Sequence, residues 1–289
     1  MSPREGEIRY LLAGAFHRLA YTEWGDPAAP VVLCVHGLTR TGRDFDSLAA
    51  ALAPRFRVIC PDLPGRGRSD WLPDPTLYQP LSYVQALAHL LAAIGEEVAW
   101  VGTSLGGICG MLVAAASGTP VTRLVLNDIG PHIPRDALAR IRAYLGTQLV
   151  FPDLAALEAH LRVIHGPFGK LTDVQWAHVA RTSARTLPDG QIVLHYDPGI
   201  AVPVLASEPA DTDMWPVWQR ITVPMLAIRG AESDLLLPET FARMAQGGAQ
   251  TLVVPETGHA PALMDAPTIR AVERFLLAPA DADHPGAES

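Results

Sequence analysis

The stretch VGTSLGGICG, residues 101–110, places Ser104 between a strand-like and a helix-like segment. The apolar run at 97–102 is typical of a strand buried on both faces, and residues 105–117 are typical of a helix. In so sharp a turn the central residue adopts a strained backbone, and the glycines at 102 and 106 remove colliding side chains. The pattern predicts a nucleophile at Ser104, although a packing turn with a capping serine also fits the pentapeptide alone.

Strand-like and helix-like segments alternate along most of the chain. Residues 7–12 and 16–23 have the two-residue alternation of an antiparallel pair. The following segments are predicted in turn: strands at 30–37, 56–62, 97–102, 123–128, 224–230 and 250–256, and helices at 44–53, 80–95, 105–117, 238–246 and 266–277. Repeated strand–helix–strand units predict an α/β fold, in which a mostly parallel central sheet is flanked by helices.

Residues 131–216 interrupt this alternation with helical stretches and no clear buried strand. We interpret them as a helical cap inserted into a core formed by residues 1–130 and 217–278. The last residues, 279–289, are small and polar, and their composition predicts a disordered tail.

Charge and the distribution of apolar residues argue against two classes of partner, nucleic acids and membranes. The net charge is −8 and Lys170 is the single lysine, so we expect no nucleic-acid binding. No apolar stretch is long enough to cross a membrane, and the N-terminus lacks the apolar core of a signal peptide. We therefore expect no membrane partner; the oligomeric state stays open.

Cysteine and metal-binding patterns are equally sparse. Cys34, Cys60 and Cys109 lie in apolar stretches with no paired spacing, which favours free thiols in a reducing, cytoplasmic compartment. The sequence has no HExxH motif and no GxGxxG fingerprint, so we expect neither a metal nor another cofactor. The short loop at 65–67 is interpreted as the rim of the pocket or its support.

A serine nucleophile needs a base and an acid. His259 follows the last predicted strand, at the carboxyl edge of the sheet, and we predict that it is the general base. Asp234 follows the penultimate strand and gives the chain order serine, aspartate, histidine. Asp128, after the preceding strand, is the alternative acid, and Glu232 is a weaker one. We favour Asp234.

The oxyanion of an acyl-transfer intermediate needs two amide donors. The backbone N–H of Leu105 follows the nucleophile directly, and the second donor is predicted to be the backbone N–H of Leu38. Gly37 permits the close approach of that loop, and His36 is expected to brace it rather than to act as the base.

Six motifs together resemble the α/β-hydrolase superfamily, over about residues 7–277: HGLTRTGRDFD (36–46), DLPGRGRSD (62–70), GTSLGG (102–107), LVLNDIGP (124–131), IRGAESDLL (228–236) and GHAPAL (258–263). The resemblance implies a cap at 131–216 and matches Ser104, Asp234 and His259 to the nucleophile, acid and base. It also matches Leu38 and Leu105 to the oxyanion amides.

The serine at the turn excludes the dehalogenase and epoxide-hydrolase branches, which have an aspartate there. We expect a serine hydrolase that cleaves a small-molecule ester of small or medium apolar character. The alternatives are carbon–carbon bond hydrolysis of a dienoic keto acid, thioester or lactone hydrolysis, cofactor-free perhydrolysis, and a non-enzymatic ligand receptor. Arg40, Trp176 and Tyr196 are candidate pocket residues, with Arg40 suited to binding a carboxylate.

Overall fold

The computed structural model describes residues 3–146 and 149–279. Its strands are, in chain order, β1 (Arg4–Leu12), β2 (Ala15–Trp24), β3 (Val31–Val35), β4 (Arg57–Pro61), β5 (Val98–Thr103), β6 (Val121–Asn127), β7 (His132–Ile133), β8 (Val150–Phe151), β9 (Ala184–Thr186), β10 (Ile192–Leu194), β11 (Thr212–Asp213), β12 (Met225–Gly230) and β13 (Gln250–Val254). The helices are α1 (Asp46–Leu52), α2 (Pro80–Ile94), α3 (Leu105–Ala114), α4 (Arg135–Tyr144), α5 (Leu154–Ile164), α6 (Asp173–Ser183), α7 (Ala201–Leu205), α8 (Trp215–Trp218), α9 (Pro238–Gln246) and α10 (Ala266–Leu277).

Eight of these strands form the central sheet, in the order β1-β2-β4-β3-β5-β6-β12-β13. Strands β1 and β2 pair with each other, and β2 with β4, in antiparallel register. The pairs from β4 through β13 are parallel. The predicted α/β fold with a mostly parallel sheet is therefore confirmed.

The central strands are apolar throughout because helices cover both faces of the sheet. In β3, Val31, Leu33 and Val35 contribute to one apolar cluster, which also contains side chains of α2, α3 and α9. Val32 and Cys34 alternate with them and join the opposite cluster, with side chains of α1 and α10. Alternate side chains of the strand enter two different buried layers, which explains why its sequence is a continuous apolar run.

Residues 131–216 lie between β6 and β12 and carry α4 to α7 and the first residues of α8. They also hold short strands: β7 pairs with β11, and β8, β9 and β10 form a three-stranded sheet. The expectation that this segment lacks strands is therefore wrong, because elements of two or three residues are too short to show a periodicity. Helices α5 and α6 have an apolar core of their own, around Leu157, Leu161 and Val179.

The parallel strands bring their carboxyl ends to one edge of the sheet, where β5, β6, β12 and β13 lie side by side. Ser104, Asp128, Asp234 and His259 all follow one of these strands. The fold thus limits the candidate site to this edge. Within residues 3–146 and 149–279, no helix has the length and apolar character needed to cross a membrane. The tail predicted at 279–289 lies outside the described residues from position 280 on.

Candidate active site

Ser104 lies in the turn that joins β5 to α3. Its backbone has φ 50° and ψ −114°, a conformation that L-residues rarely adopt. A Cβ at Gly106 would overlap the carbonyl oxygen of Val35 in the neighbouring strand, and one at Gly102 would overlap the backbone of Gly106. The two glycines are therefore required for so close an approach of helix and sheet, and the turn holds the Ser104 side chain at the sheet edge.

His259 lies in the loop that follows β13. Its Nε2 is 3.0 Å from Ser104 Oγ, and its side chain is 13% exposed. The same loop is tied to the core by Asn127, whose amide donates to the carbonyl of Pro261 at 2.8 Å and to Thr103 Oγ1 at 3.0 Å. The structure thus brings Ser104 and the His259 imidazole together. Hydrogen bonds of the Asn127 side chain fix the loop after β13 to the ends of the neighbouring strands.

Asp128 completes the arrangement from the end of β6. Its Oδ2 is 2.8 Å from His259 Nδ1 and accepts a hydrogen bond from Ser233 Oγ at 2.6 Å. Its Oδ1 accepts one from the backbone N–H of Gly230 at 2.8 Å. The side chain is fully buried, so these donors replace water around the carboxylate. Because a carboxylate accepts, Nδ1 of His259 carries the proton and Nε2 is free to accept from Ser104.

Asp234, which the sequence analysis favoured as the acid, does not contact His259. Its carboxylate is half exposed and pairs with the Arg140 guanidinium at 2.5 and 2.9 Å. The cause is Arg229, whose guanidinium donates to the carbonyls of Ala231, Ser233 and Leu236. This folds the loop after β12 so that Ser233 points inward to the carboxylate of Asp128. The predicted acid is thus corrected from Asp234 to the alternative, Asp128, because it is the Asp128 carboxylate that contacts His259.

The loop after β3 lies against Ser104. A Cβ built on Gly37 would be 3.7 Å from Ser104 Cβ. Fully buried His36 accepts from the Leu63 N–H at 2.9 Å through Nε2, so its Nδ1 donates to the Gly37 carbonyl at 2.7 Å. In a trans peptide the C=O of Gly37 and the N–H of Leu38 point in opposite directions. His36 therefore orients the Leu38 amide that the sequence analysis predicted as an oxyanion donor.

Arg66 supports the same loop from the opposite side. Its fully buried guanidinium donates to the carbonyls of Leu38 at 2.8 Å and Pro64 at 2.6 Å, and to the Tyr83 hydroxyl at 2.8 Å. It also lies over the ring of Tyr83, 4.8 Å from the centroid. The loop at 65–67 thus supports the oxyanion loop, one of the two roles considered for it. The second predicted donor, the Leu105 N–H, is the first of α3, where helical N–H groups lack an intrahelical partner.

Two cavities meet at Ser104. The smaller, of about 240 Å³, is bordered by His259 and by side chains from both the core and the inserted segment. The larger, of about 620 Å³, extends along α3 and α4 and is lined mostly by apolar side chains. Among the described residues, no Asp, Glu, His, Lys or Arg side chain borders the larger cavity, whereas Arg40, Asp44, Arg140 and the histidines His165 and His259 border the smaller one.

The three residues predicted to line the pocket, Arg40, Trp176 and Tyr196, lie in different parts of the structure. Arg40 borders the smaller cavity. Trp176 packs in the apolar core of α5 and α6, beneath the guanidinium of Arg162. Tyr196 is buried in the main core. Neither of these two aromatic rings is among the described residues that border the two cavities, so both are corrected from pocket residues to packing residues.

His165 and Arg140 border the smaller cavity from the inserted segment and were not foreseen. The His165 ring stacks on Phe168 at 4.3 Å, and burial together with the charge of Arg40 holds its pKa well below the usual range. No sequence motif marked these residues, because their position depends on how α4 and α5 pack over the core. In the part of the chain that the structure describes, no group of three or more His, Cys, Asp or Glu side chains could hold a metal ion.

The neutral state of His36 makes stability depend on pH. Burial lowers its pKa from 6.5 to about 3, so below pH 6.5 the unfolded chain binds a proton that the folded chain does not. The free energy of unfolding should therefore fall as the pH drops from 6.5 toward 3, with His36 contributing about 1.4 kcal/mol per pH unit. Urea unfolding at a series of pH values measures this slope. His36→Gln, which lacks the titrating group, should give a shallower slope; equal slopes in both proteins would contradict the assignment.

Comparisons with known proteins show what the chain as a whole is similar to. The model of the alpha/beta hydrolase family matches residues 32–272. A 3-hydroxybutyrate-oligomer hydrolase from Cupriavidus necator is 43% identical over 287 residues, which cover 95% of this chain and 98% of the relative. A 2-(acetamidomethylene)succinate hydrolase from Mesorhizobium japonicum is 27% identical over 237 residues, covering 80% and 82%.

Solved structures extend the similarity to three dimensions. The crystal structure of an alpha/beta hydrolase from Novosphingobium aromaticivorans superposes with a TM-score of 0.86 and 38% sequence identity, and covers 95% of this chain and 98% of that one. With a family model that matches most of its length and a relative this similar along nearly its whole length, the chain belongs to the alpha/beta hydrolase family.

Proposed function

We propose that this chain is a serine hydrolase that cleaves carboxylic esters through an acyl-enzyme on Ser104. One observation carries the proposal: an unbroken chain of hydrogen bonds runs from Ser104 Oγ through the His259 imidazole to the buried Asp128 carboxylate. It ends at the point where the two cavities meet. A hydroxyl hydrogen-bonded to an imidazole, which is itself oriented by a carboxylate, is an activated nucleophile.

In the acylation step, Ser104 Oγ forms a bond to the carbonyl carbon of the ester while its proton passes to His259 Nε2. The carbonyl oxygen becomes an oxyanion, stabilised by the backbone N–H groups of Leu38 and Leu105. Asp128 stabilises the imidazolium that results. Collapse of the intermediate breaks the carbon–oxygen bond to the leaving alcohol, which receives the proton from Nε2. The acyl group remains on Ser104.

Deacylation repeats the sequence with water as the nucleophile. His259 takes a proton from water as the new bond to the acyl carbon forms, and then returns it to Ser104 Oγ. The carboxylic acid leaves and the free serine is restored. One ester and one water thus give one acid and one alcohol, so the cycle requires no cofactor or metal.

The cavities and the relatives together point to the substrate class. The larger cavity is apolar, which suits an aliphatic acyl group. The Cupriavidus necator relative is named for the hydrolysis of 3-hydroxybutyrate oligomers, which are linear aliphatic esters. We infer that short aliphatic oligoesters of hydroxy acids are substrates, with residues 131–216 acting as a cap that closes both cavities over Ser104.

Ser104→Ala removes the nucleophile and leaves the turn and its glycines in place. Hydrolysis of p-nitrophenyl butyrate should fall by a factor on the order of 10⁶, as expected when a triad nucleophile is lost. Steady-state rates measure the effect, and thermal unfolding verifies that the variant folds. Ser117→Ala, at an exposed position beyond the end of α3, is the matched control and should retain wild-type turnover. Retention of substantial turnover by Ser104→Ala would contradict the proposal.

Asp128→Asn and Asp234→Asn discriminate between the two candidate acids. The first replaces a carboxylate that orients His259, and kcat for p-nitrophenyl butyrate should fall by about 10⁴-fold. The second breaks an ion pair between half-exposed groups, so kcat should change little. Parallel kcat measurements on the two variants provide the comparison. A larger loss in Asp234→Asn than in Asp128→Asn would refute the role given to Asp128.

A further inference from the structure

We propose that the smaller cavity binds a carboxylate carried by the leaving alcohol, and that the chain therefore cleaves the ester bond nearest the carboxyl end of a linear substrate. The inference rests on the proposed function, because it assigns the two halves of an ester to the two cavities. It is carried by the position of His259 and by the uneven distribution of charge around Ser104.

The position of His259 decides which cavity receives the alcohol. In acylation the imidazole gives its proton to the leaving oxygen, so that oxygen must face Nε2. His259 borders the smaller cavity, of about 240 Å³. The acyl group, on the other side of the carbonyl carbon, then extends past Leu105 into the larger cavity, of about 620 Å³. The alcohol part of the substrate is accordingly the smaller one.

The two cavities differ in charge as well as in size. Two arginines, Arg40 and Arg140, border the smaller one, together with His165 and one carboxylate, Asp44. The described residues around the larger cavity include no Asp, Glu, His, Lys or Arg. Among the described residues, the alcohol side therefore has one guanidinium more than it has carboxylates, which suits an alcohol that carries a negative charge.

Arg40 and Asp44 neutralise each other. The guanidinium donates to both carboxylate oxygens, at 2.6 and 2.8 Å, and only 7% of the Arg40 side chain is exposed. The remaining Nη1 of Arg40 lies 3.3 Å from Nε2 of His165. A guanidinium can only donate, so Nε2 accepts and the proton of the imidazole is on Nδ1. Arg40 thus fixes the tautomer of His165, a residue that borders the cavity, with its N–H on Nδ1.

Arg140 supplies the positive charge that is open to a ligand. It projects from α4, its side chain is 44% exposed, and its Nε and Nη2 donate to Asp234. A guanidinium has five N–H donors, so Nη1 remains able to donate to a second anion. Arg140 borders the cavity, while Asp234 is not among the described residues that do so. A carboxylate in the cavity would therefore meet the guanidinium rather than its counterion.

The chemical class of substrate follows. The leaving alcohol is a free hydroxy acid, whose hydroxyl oxygen lies at His259 and whose carboxylate is bound by Arg140 and His165. The rest of an oligoester occupies the larger cavity as the acyl group. Each turnover then removes one hydroxy acid from the carboxyl end, and the shortened oligomer leaves Ser104 with a new carboxyl end.

The first test compares the linear dimer of 3-hydroxybutyrate as its free acid with the same dimer ending in a primary amide. The wild type should prefer the acid in kcat/KM by about tenfold, and mainly through KM, because a charge-assisted hydrogen bond is lost in the amide. Arg140→Gln should bring the ratio of the two kcat/KM values close to one. His165→Phe, which keeps a ring against Phe168 but has no N–H, should lower the ratio as well.

Arg142→Gln is the matched control. Arg142 is on the same helix and donates to the carbonyl of Ser207, and it is not among the described residues that border the smaller cavity. The Arg142→Gln variant should retain the wild-type ratio of kcat/KM for the acid to kcat/KM for the amide. A ratio near one in the wild type, or a ratio unchanged in Arg140→Gln, would overturn the proposal.

The second test reads the direction of cleavage. A linear trimer with an isotopic label in its carboxyl-terminal unit should give labelled monomer and unlabelled dimer as the first products seen by mass spectrometry. Unlabelled monomer with labelled dimer would overturn the proposal. Failure of the proposed function has a separate signature, because p-nitrophenyl butyrate would then show no turnover that depends on Ser104.

Discussion

The buried carboxylate of Asp128 is the interaction on which the rest of the site depends. It follows β6 and receives hydrogen bonds from Gly230 at the end of β12, from Ser233 after that strand and from His259 after β13. A buried charge left without partners costs about 3–5 kcal/mol, so these donors must be present in the folded state. The carboxylate therefore fixes the relative positions of three strand ends, and with them the imidazole that faces Ser104.

Most of the fold and two of the three residues of the proposed triad, Ser104 and His259, could be predicted from the sequence. The strand-to-helix turn at Ser104 requires glycine on steric grounds, and the pentapeptide at 102–106 contains both glycines. The position of His259 followed from the rule that parallel strands end at one edge. Both features are local or depend only on the order of elements, so a single sequence contains them.

The choice between Asp128 and Asp234 could not be made from the sequence. Both follow a strand and satisfy the same chain order, and the decision lies with Arg229, which folds the loop after β12 through three carbonyl contacts. Side chain to backbone bonds of this kind have no periodicity or motif. The same holds for the inserted segment, where Trp176 packs in a local core and His165 borders the cavity only because of how the helices are arranged.

The site combines side chains of the core with side chains of the inserted segment. The core places Ser104, His259 and Asp128 after strand ends, and His36 and Arg66 support the loop after β3 from two sides. The inserted segment supplies Arg140 and His165 and part of the apolar wall of the larger cavity. In the function that we propose, the chemistry resides at the sheet edge and substrate choice in the inserted segment.

The most direct test of this account is the proton NMR signal of His259 Nδ1–H. A proton shared between an imidazole nitrogen and a buried carboxylate resonates far downfield of ordinary amide protons and exchanges slowly with water. The account predicts such a signal in the wild type, its persistence in Asp234→Asn and its loss in Asp128→Asn. A signal that is lost in Asp234→Asn and retained in Asp128→Asn would contradict it.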